Sequence, residues 1–334
     1  MAKKNKRKGN AGGGETAGEN WTGTVVRTAG GSSWVRRDGA PGEAPEECRV
    51  KGKFRLRGIR TTNPVAVGDR VTVSPAAGGV SYITEIEPRT NYIIRRASNL
   101  SKESHILAAN IDQALLVVTL RQPETPIVFI DRFLATCEAY SVKATIIINK
   151  VDLFDEDCAE LAAAMRVLYE GIGYGFLLTS AATGEGMEEL KALTRDKVSL
   201  MAGNSGVGKS SLINLLAPEA QLRTGEISEI HHTGMHTTTF SEMVDLPYGG
   251  ELIDIPGVKG FGMIDFREEE VGHYFPEIFN ASAECRYGDC RHTGEPGCHV
   301  RDMVEDHRIA QSRYASYLNI LEEIEEGDKY RKSE

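Results

Sequence analysis

Four short motifs that could together bind a purine nucleotide lie between residues 149 and 257. In chain order they are Asn149–Asp152, Ser180-Ala181, Gly203–Ser210 and Asp254–Gly257. A guanine-binding domain of the P-loop class ordinarily begins with its phosphate loop and reaches its base-reading Asn-Lys-x-Asp segment last. Here the Asn-Lys-x-Asp segment comes first. The order therefore predicts a circularly permuted guanine-nucleotide-binding domain.

The phosphate loop is expected at Gly203–Ser210, which fits the pattern G-x-x-x-x-G-K-[ST] between a predicted strand and a predicted helix. Its glycines allow backbone N–H groups to approach the β-phosphate, and the helix N-terminus adds positive potential. Lys209 is expected to reach the β- and γ-phosphates, and Ser210 to hold Mg²⁺. The predicted phosphate-binding residues are Gly203, Asn204, Ser205, Gly206, Val207, Gly208, Lys209, Ser210 and Ser211.

The base is expected to be read at the ends of two other strands. The Asp152 carboxylate can accept hydrogen bonds from both the ring N–H and the exocyclic amine of guanine, and adenine has no matching pair of donors. Lys150 is expected to cover the base plane, and Asn149 to brace the neighbouring loops. The resulting site selects GTP or GDP over adenine nucleotides. The predicted base-reading residues are Asn149, Lys150, Val151, Asp152, Ser180 and Ala181.

The magnesium ion and the γ-phosphate are expected between the phosphate loop and the Asp-Ile-Pro-Gly segment. Asp254 suits an outer-shell role toward Mg²⁺, and the N–H of Gly257 suits a γ-phosphate contact. A threonine of the polar segment 231–239 completes the Mg²⁺ shell in the GTP state, and we choose Thr238 over Thr237. Such a segment is expected to order with GTP and loosen after hydrolysis.

The residue after Gly257 cannot assist hydrolysis. Ras-like enzymes place a glutamine there to orient the attacking water, whereas this chain has Val258, which has neither donor nor acceptor. A neutral imidazole can orient water, and His236 is the nearest candidate in sequence. The predicted catalytic residues are therefore His236, Lys209 and Thr238.

A metal site is predicted at Cys285, Cys290, His292 and Cys298. These residues supply three thiolates and one imidazole within fourteen residues, and this donor set suits a closed tetrahedral structural Zn²⁺ site. His299 could replace His292 as the fourth ligand.

The elements around these motifs indicate an α/β sheet. Several apolar runs are continuous, as is typical of buried parallel strands, and helical patterns alternate with them. The predicted strands are Gln113–Thr119, Lys143–Ile148, Gly175–Leu178, Val198–Ala202, Phe240–Val244 and Gly250–Asp254. The predicted helices are Pro126–Tyr140, Glu156–Tyr169 and Lys209–Leu216, followed after Gly262 by an acidic helix and a final helical segment from about Val300. That segment carries a docking stripe at Val304, Tyr314, Tyr317, Leu318, Leu321 and Ile324.

The N-terminal part instead predicts a small all-β barrel. Five short β-rich runs are separated by turn residues, which suits an oligonucleotide-binding fold. The runs are Thr22–Arg27, Ser33–Arg37, Cys48–Leu56, Arg70–Ser74 and Ser81–Ile86. One run carries cations at alternate positions, which places them on one face of a strand as a groove for phosphates. This basic row comprises Arg49, Lys51, Lys53, Arg55 and Arg57; a merely soluble strand face is the alternative.

Charge and cysteine usage support this division. Residues 1–98 hold 18 Lys and Arg against 9 Asp and Glu, a net charge of +9, while the whole chain carries −9, so the remainder carries −18. A basic front on an acidic body suggests a polyanionic partner. Six clustered or scattered cysteines do not fit a secreted disulfide scaffold, and no apolar run approaches the length of a membrane span. We expect a cytoplasmic protein without membrane attachment.

Together these residues resemble the ribosome small-subunit-dependent GTPase A family, a bacterial class of circularly permuted GTPases. The resemblance rests on the motif order, on His236–Thr239, on the Cys/His spacing and on Gly68–Val71. It covers roughly residues 20–325. It implies an oligonucleotide-binding barrel, a central permuted P-loop GTPase domain with a doubly wound sheet, and a mainly helical zinc-binding domain. The family histidine proposed as catalytic maps onto His236.

The resemblance further implies that the protein binds the small ribosomal subunit and its rRNA late in maturation, with subunit-stimulated GTP hydrolysis, GTP/GDP, Mg²⁺ and one structural Zn²⁺. We expect a monomer. The predicted boundaries are a disordered basic arm at 1–19, the barrel at 20–98, the GTPase domain at 104–265 and the zinc domain at 266–334.

Two other functions remain open from the residues. One is a GTP-gated RNA- or ribosome-binding module in which hydrolysis is incidental. Val258 leaves that interpretation open, because its side chain cannot orient the attacking water. The other is a P-loop ATPase or small-molecule kinase, which Asp152 and the basic barrel disfavour.

Overall fold

The computed structural model describes residues 18–29, 31–40, 42–50, 64–76, 79–96, 104–220, 241–255 and 266–332. The arm up to residue 17 and most of the basic row, from Lys51 to Arg57, lie outside the described residues.

The predicted five-stranded barrel is present and closed. Its strands pair in the order β1-β2-β3-β5-β4, and β4 returns to pair with β1; the β3–β5 pair is parallel and the others are antiparallel. Alternate residues such as Val25, Val35 and Ile83 fill its core. The strands are β1 (Trp21–Ala29), β2 (Ser32–Arg37), β3 (Glu46–Val50), β4 (Arg70–Ser74) and β5 (Ser81–Ile86).

A two-stranded hairpin that the sequence did not predict follows the barrel. It consists of β6 (Tyr92–Arg96) and β7 (Ser104–Ala109), paired antiparallel. It leads directly into the α/β sheet.

The α/β sheet has the predicted doubly wound form. Its strand order is β10-β9-β8-β11-β13-β12, parallel except for β12 at the edge. In β8, Ala114, Leu116 and Val118 face one core and Leu115 and Val117 the other, because successive side chains alternate. The strands are β8 (Gln113–Val118), β9 (Lys143–Ile148), β10 (Gly175–Leu178), β11 (Val198–Gly203), β12 (Glu242–Asp245) and β13 (Glu251–Asp254).

Two pairs of helices cover the two faces of this sheet. Helices α1 (Ile127–Ala139) and α2 (Glu156–Ile172) supply one core, and α3 (Met187–Thr194) and α4 (Lys209–Leu216) the other. The sequence predicted α1, α2 and α4 but not α3.

The C-terminal region packs on α1. A 3₁₀ helix at Glu268–Tyr274 and α5 (Pro276–Ser282) stand in place of the predicted single acidic helix. Helices α6 (His299–Glu305) and α7 (Gln311–Lys332) follow. The predicted docking stripe is confirmed, because its six residues join a core that includes Ala135 of α1.

The barrel and the α/β sheet form one continuous hydrogen-bonded sheet, a connection that the sequence did not predict. Strand β1 pairs with the edge strand β12 at Arg27 and Glu242. Arg36 of the barrel also forms ion pairs with Asp245 and Glu251. The pairing at Glu242 covers one end of β12, the edge strand of the α/β sheet.

A tight turn in the Gly68–Val71 segment makes a second connection. Gly68 has φ +89°, and a Cβ on it would lie 2.1 Å from the carbonyl oxygen of Ala109. The Asn110 side chain donates to the Gly68 carbonyl at 2.9 Å. Only glycine fits here, so this segment serves the junction between the barrel and the sheet.

Candidate functional site

The nucleotide motifs meet at one edge of the sheet because their strands run parallel. Strands β9, β11 and β13 all end at the same edge, with β8 between β9 and β11. Loops at the carboxyl ends of such strands form the usual ligand crevice of an open α/β sheet.

The predicted phosphate loop has the backbone that its glycines imply. It leaves β11 at Gly203 and enters α4 at Lys209. Gly206 and Gly208 have φ values of +85° and +91°. A Cβ on Gly208 would lie 2.3 Å from Nδ2 of Asn149. The turn therefore requires glycine both for its conformation and for contact with the base-reading loop.

The Asn149 side chain hydrogen-bonds to two neighbouring loops, which is the arrangement that its predicted bracing role requires. Its Nδ2 donates to the Val207 carbonyl at 2.8 Å. Its Oδ1 accepts hydrogen bonds from the Thr179 hydroxyl at 3.1 Å and from the Ala181 N–H at 3.2 Å. Asn149 is buried, and these bonds satisfy its amide while fixing the loops relative to one another.

Asp152 and Lys150 follow β9 at the same edge of the sheet as the predicted phosphate loop. Asp152 is exposed in a short 3₁₀ turn, Val151–Leu153, and the Ser180 hydroxyl donates to its Oδ1. Lys150 has a left-handed backbone, φ +64°, and its ammonium group donates to the Gln122 carbonyl. The contact with Gln122 was not predicted, because a backbone acceptor has no sequence signature.

The phosphate side is joined to the Asp254 segment by an ion pair. The Lys209 ammonium group contacts Oδ1 of Asp254, and both side chains are largely buried. Ser210 and Ser211 lie beside Lys209 in the first turn of α4. Hydroxyl and carboxylate oxygens are the ligands that Mg²⁺ prefers, so Ser210 and Asp254 fit the predicted magnesium site.

The remaining predicted residues of this site lie outside the described residues. They are His236, Thr237, Thr238, Gly257 and Val258.

The predicted metal ligands are brought together. The ligand atoms of Cys285, Cys290, His292 and Cys298 all lie within 4.8 Å of one another. Nδ1 of His292 is 3.4 Å from the Cys298 sulfur and 3.7 Å from the Cys285 sulfur. His299 instead faces Glu284 at 3.4 Å. The cluster therefore contains His292 and not the alternative His299, and its three sulfurs and one nitrogen fit Zn²⁺.

Hydrogen bonds from side chains around the metal cluster hold its backbone in place, and the sequence did not predict them. His292 has φ +59°. The Tyr314 and Tyr317 hydroxyls donate to the carbonyls of His292 and Arg291. The Glu295 carboxylate accepts from the N–H groups of Arg291, Thr293 and Gly294 at 2.8–3.0 Å. The tyrosines were predicted only as part of an apolar stripe, since hydroxyl targets cannot be read from helical spacing.

The protonation states in the cluster follow from burial. Burial lowers the pKa of His292, which keeps its imidazole neutral and able to ligate a metal. Burial, reinforced by the Cys298 thiol, raises the pKa of Cys290 to about 12. Burial opposes ionisation of Glu295, but backbone N–H groups outweigh it and lower the pKa of Glu295 to about 2. Metal binding at the thiols therefore displaces protons.

The chain matches a known protein family. A sequence model described as RsgA GTPase matches residues 86–264 of the chain. The chain belongs to the RsgA GTPase family. It is therefore a hydrolase that acts on GTP.

Relatives of the RsgA family match nearly the whole chain. The small ribosomal subunit biogenesis GTPase RsgA of Bacteroides fragilis is 55% identical over 309 residues, covering 92% of this chain and 98% of that protein. The protein of the same name from Phocaeicola vulgatus is 56% identical over 309 residues with the same coverage.

Two solved structures show the same architecture. The structure of YjeQ from Thermotoga maritima matches with a TM-score of 0.73 and 34% identity, covering 91% of this chain and 98% of that one. YloQ, described as a circularly permuted GTPase, matches with a TM-score of 0.69 and 31% identity, covering 92% and 96%. The permuted GTPase fold predicted from the motif order is confirmed for this RsgA-family chain.

Proposed function

We propose that this RsgA-family GTPase couples GTP hydrolysis to late maturation of the small ribosomal subunit, and that contact with the subunit stimulates hydrolysis. The observation that carries the proposal is the convergence of the motif loops: Asn149 joins the base loop to the phosphate loop, and Lys209 joins the phosphate loop to Asp254. The names of the relatives supply the small-subunit context.

In the proposed site the chain holds a guanine nucleotide and Mg²⁺. Asp152 reads the base, Lys209 binds the β- and γ-phosphates, and Ser210 and Thr238 bind Mg²⁺, with Asp254 in its outer shell. The Gly257 N–H contacts the γ-phosphate. The magnesium ion neutralises charge on the phosphate oxygens when it is bound.

Hydrolysis in this proposal depends on His236. Val258 offers no hydrogen bond to a water molecule, and a neutral imidazole can orient one. His236 belongs to the segment 231–239, which is expected to order with GTP. Hydrolysis therefore depends on that ordering. Ordering by the subunit would then stimulate turnover.

The proposed RNA contact is the barrel. Arg49, the first residue of the basic row, is exposed beside buried Cys48 on β3, which supports the predicted division into a charged face and an apolar face. Contact with phosphates by such a row is independent of base sequence and weakens as salt rises.

The proposed role of zinc is structural. The Cys285, Cys290, His292 and Cys298 side chains would fill a tetrahedral shell, leaving no open position for catalysis.

We further place the protein in the cytoplasm as a monomer. Among helices in the described part of the chain, none is both long and apolar enough to cross a bilayer.

The decisive experiment for this proposal measures GTP turnover with and without purified small and large ribosomal subunits. We expect small subunits alone to raise turnover by orders of magnitude, and His236→Ala to lose that stimulation while retaining nucleotide affinity. Nucleotide-dependent attachment to small subunits without stimulated turnover would favour the alternative, a GTP-gated binding module. If the protein neither attaches to small subunits nor hydrolyses GTP faster in their presence, both the proposed function and the alternative are contradicted.

A further inference from the structure

The loop that follows β8 lies between the two loops predicted to bind the nucleotide. We call residues 119–125 the bridging loop. Strand β8 stands between β9, which leads to the base-reading loop, and β11, which leads to the phosphate loop. The bridging loop therefore leaves the sheet at the same edge as both motifs.

Two buried threonines close the bridging loop. The Thr125 N–H donates to the Thr119 carbonyl at 2.9 Å, and the Thr119 N–H donates to the Thr125 hydroxyl at 3.2 Å. The Thr119 hydroxyl donates to the Pro123 carbonyl. Both threonines are buried whereas residues 121–124 are exposed, so the tip of the loop is held from its base.

The tip touches both motif loops. The Gln122 carbonyl accepts a hydrogen bond from the Lys150 ammonium group. On the other side, a Cβ added to Gly206 would lie 3.3 Å from Cδ of Pro123, so the proline ring lies close against the phosphate loop. An ion pair between Arg121 and Asp155, the N-cap of α2, ties the loop to the helix after the base-reading segment.

We propose that the bridging loop is a positioning element of the guanine-nucleotide site, acting mainly through Lys150. This inference rests on the proposed roles of Asp152, Lys150 and the phosphate loop. A lysine side chain loses rotamer freedom when it is fixed across a base. Anchoring its ammonium group at the Gln122 carbonyl removes part of that freedom before the nucleotide arrives, and preorganisation of this kind raises affinity.

The test is Thr119→Val, which removes the hydroxyl that holds Pro123 and keeps the shape of the side chain. We expect GDP and GTP affinity to fall together by about tenfold, the scale of one lost hydrogen bond. The subunit-stimulated kcat at saturating GTP should stay unchanged, and Thr119→Ser should restore affinity.

The matched control is Thr194→Val. Thr194 is also buried and its hydroxyl donates to a backbone carbonyl, that of Leu190 at 2.9 Å. It lies before β11, at the opposite edge of the sheet, so its loss should lower the melting temperature without changing GDP affinity.

A double-mutant cycle with Lys150→Ala separates positioning from general loosening. If the bridging loop acts through Lys150, Thr119→Val should cost little further GDP affinity in the Lys150→Ala background. An equal loss in both backgrounds, or unchanged affinity in Thr119→Val alone, would overturn the inference. Pro123→Ala, at the exposed tip, serves the same cycle if Thr119→Val does not fold.

Failure of the underlying proposal gives a different result. If wild-type protein does not bind GDP, or if Asp152→Asn leaves base preference unchanged, the proposed nucleotide site itself is wrong. If those two results are as expected but the cycle shows no coupling, only the bridging-loop inference fails.

Discussion

At the scale of the single residue, we propose that Asp152 carries the selectivity for guanine. Its carboxylate is exposed, and the Ser180 hydroxyl donates to one oxygen and so fixes its orientation. Asp152→Asn should lower GDP affinity by on the order of 100-fold, because the amide offers a donor where guanine also has donors. The same variant should gain affinity for xanthosine diphosphate, which has a carbonyl in place of the exocyclic amine.

Competition of a fluorescent nucleotide by GDP, ADP and xanthosine diphosphate measures this change. Asp112→Asn is a suitable control, since Asp112 is exposed and precedes β8 at the opposite edge of the sheet, where it accepts a hydrogen bond from the Val198 N–H at 2.8 Å. Equal GDP affinity in wild type and Asp152→Asn would refute the assignment.

A second residue-scale prediction concerns Arg313, which is fully buried. It contacts Asp131 at 2.8 Å and Glu277 at 2.7 Å, and its guanidinium lies 4.6 Å from the Phe275 ring centroid. Arg313→Met should destabilise the protein by about 3–5 kcal/mol, because it leaves the buried Asp131 carboxylate without its counter-ion.

The free energy of unfolding in urea tests this, with Arg132→Ala as the control. Arg132 pairs with Glu323, which is about half exposed, so its loss should cost about 1 kcal/mol or less. Adding Asp131→Asn to Arg313→Met should recover part of the loss. Equal destabilisation by Arg313→Met and Arg132→Ala would count against a buried ion-pair network.

Residue type and spacing pointed to residues whose chemistry is carried by their own side chains: the phosphate loop, Asn149, Asp152 and the metal cluster. The structure brings the four metal ligands together, and the nucleotide-binding roles stay predictions. The Gln122 carbonyl and the buried Arg313 network were not predicted, because a backbone acceptor has no characteristic residue. Partners nearly two hundred positions apart, such as Asp131 and Arg313, have no local pattern.

At the scale of the element, the metal cluster depends on α7. Tyr317 of that helix donates its hydroxyl to the Arg291 carbonyl at 2.7 Å and packs beside the His292 ring. Tyr317→Phe should lower zinc affinity by about tenfold, a typical effect of removing an outer partner of a metal ligand. Competition with a chromogenic chelator gives the affinity.

Tyr287→Phe is the control for that measurement, since Tyr287 is 43% exposed. It should leave zinc affinity unchanged. A Tyr317→Phe protein that holds zinc as tightly as wild type would contradict the supporting role of α7.

Elements with strong patterns were predicted nearly to the residue, and weak ones were missed. Strands β9 and β10 and helix α4 have the predicted bounds, because continuous apolar runs and a phosphate loop define them. Helix α3 has only eight residues, and no motif comparable to the phosphate loop before α4 marks its start. The contact between β1 and β12 was missed because strand pairing between distant segments is set by tertiary structure.

At the scale of the whole molecule, one row of paired residues crosses from the nucleotide site to the barrel. Met201 of β11 pairs with Asp254, Asp254 with Glu242, and Glu242 with Arg27 of β1. Glu242 follows closely after the segment expected to order with GTP. Ordering there should therefore steady β12 and, through it, the end of β1.

Amide hydrogen exchange measures this coupling. We expect exchange at residues 26–29 to be slower with a non-hydrolysable GTP analogue than with GDP, while β4 and β5 stay unchanged. Arg36→Ala removes the ion pairs to Asp245 and Glu251 and should reduce the difference. Identical exchange of residues 26–29 in the two nucleotide states would argue that the barrel does not sense the nucleotide.

The C-terminal region that carries the Cys/His cluster would give a separate route for nucleotide sensing. It follows the Asp254 segment in the sequence, and we predict that the position of this region differs between the GDP and GTP states. Helix α7 packs against α1, and Arg313 of α7 forms a buried ion pair with Asp131 of α1. A movement that separated the two helices would have to break this ion pair.

The measurement that tests the central claim most directly is a calorimetric titration of the purified protein with GDP and, separately, with ADP. Rearranged motifs that meet at one sheet edge should bind one GDP per chain with measurable heat, and ADP should give none at the same concentration. No heat from GDP even at millimolar concentration, or equal binding of the two nucleotides, would contradict the account.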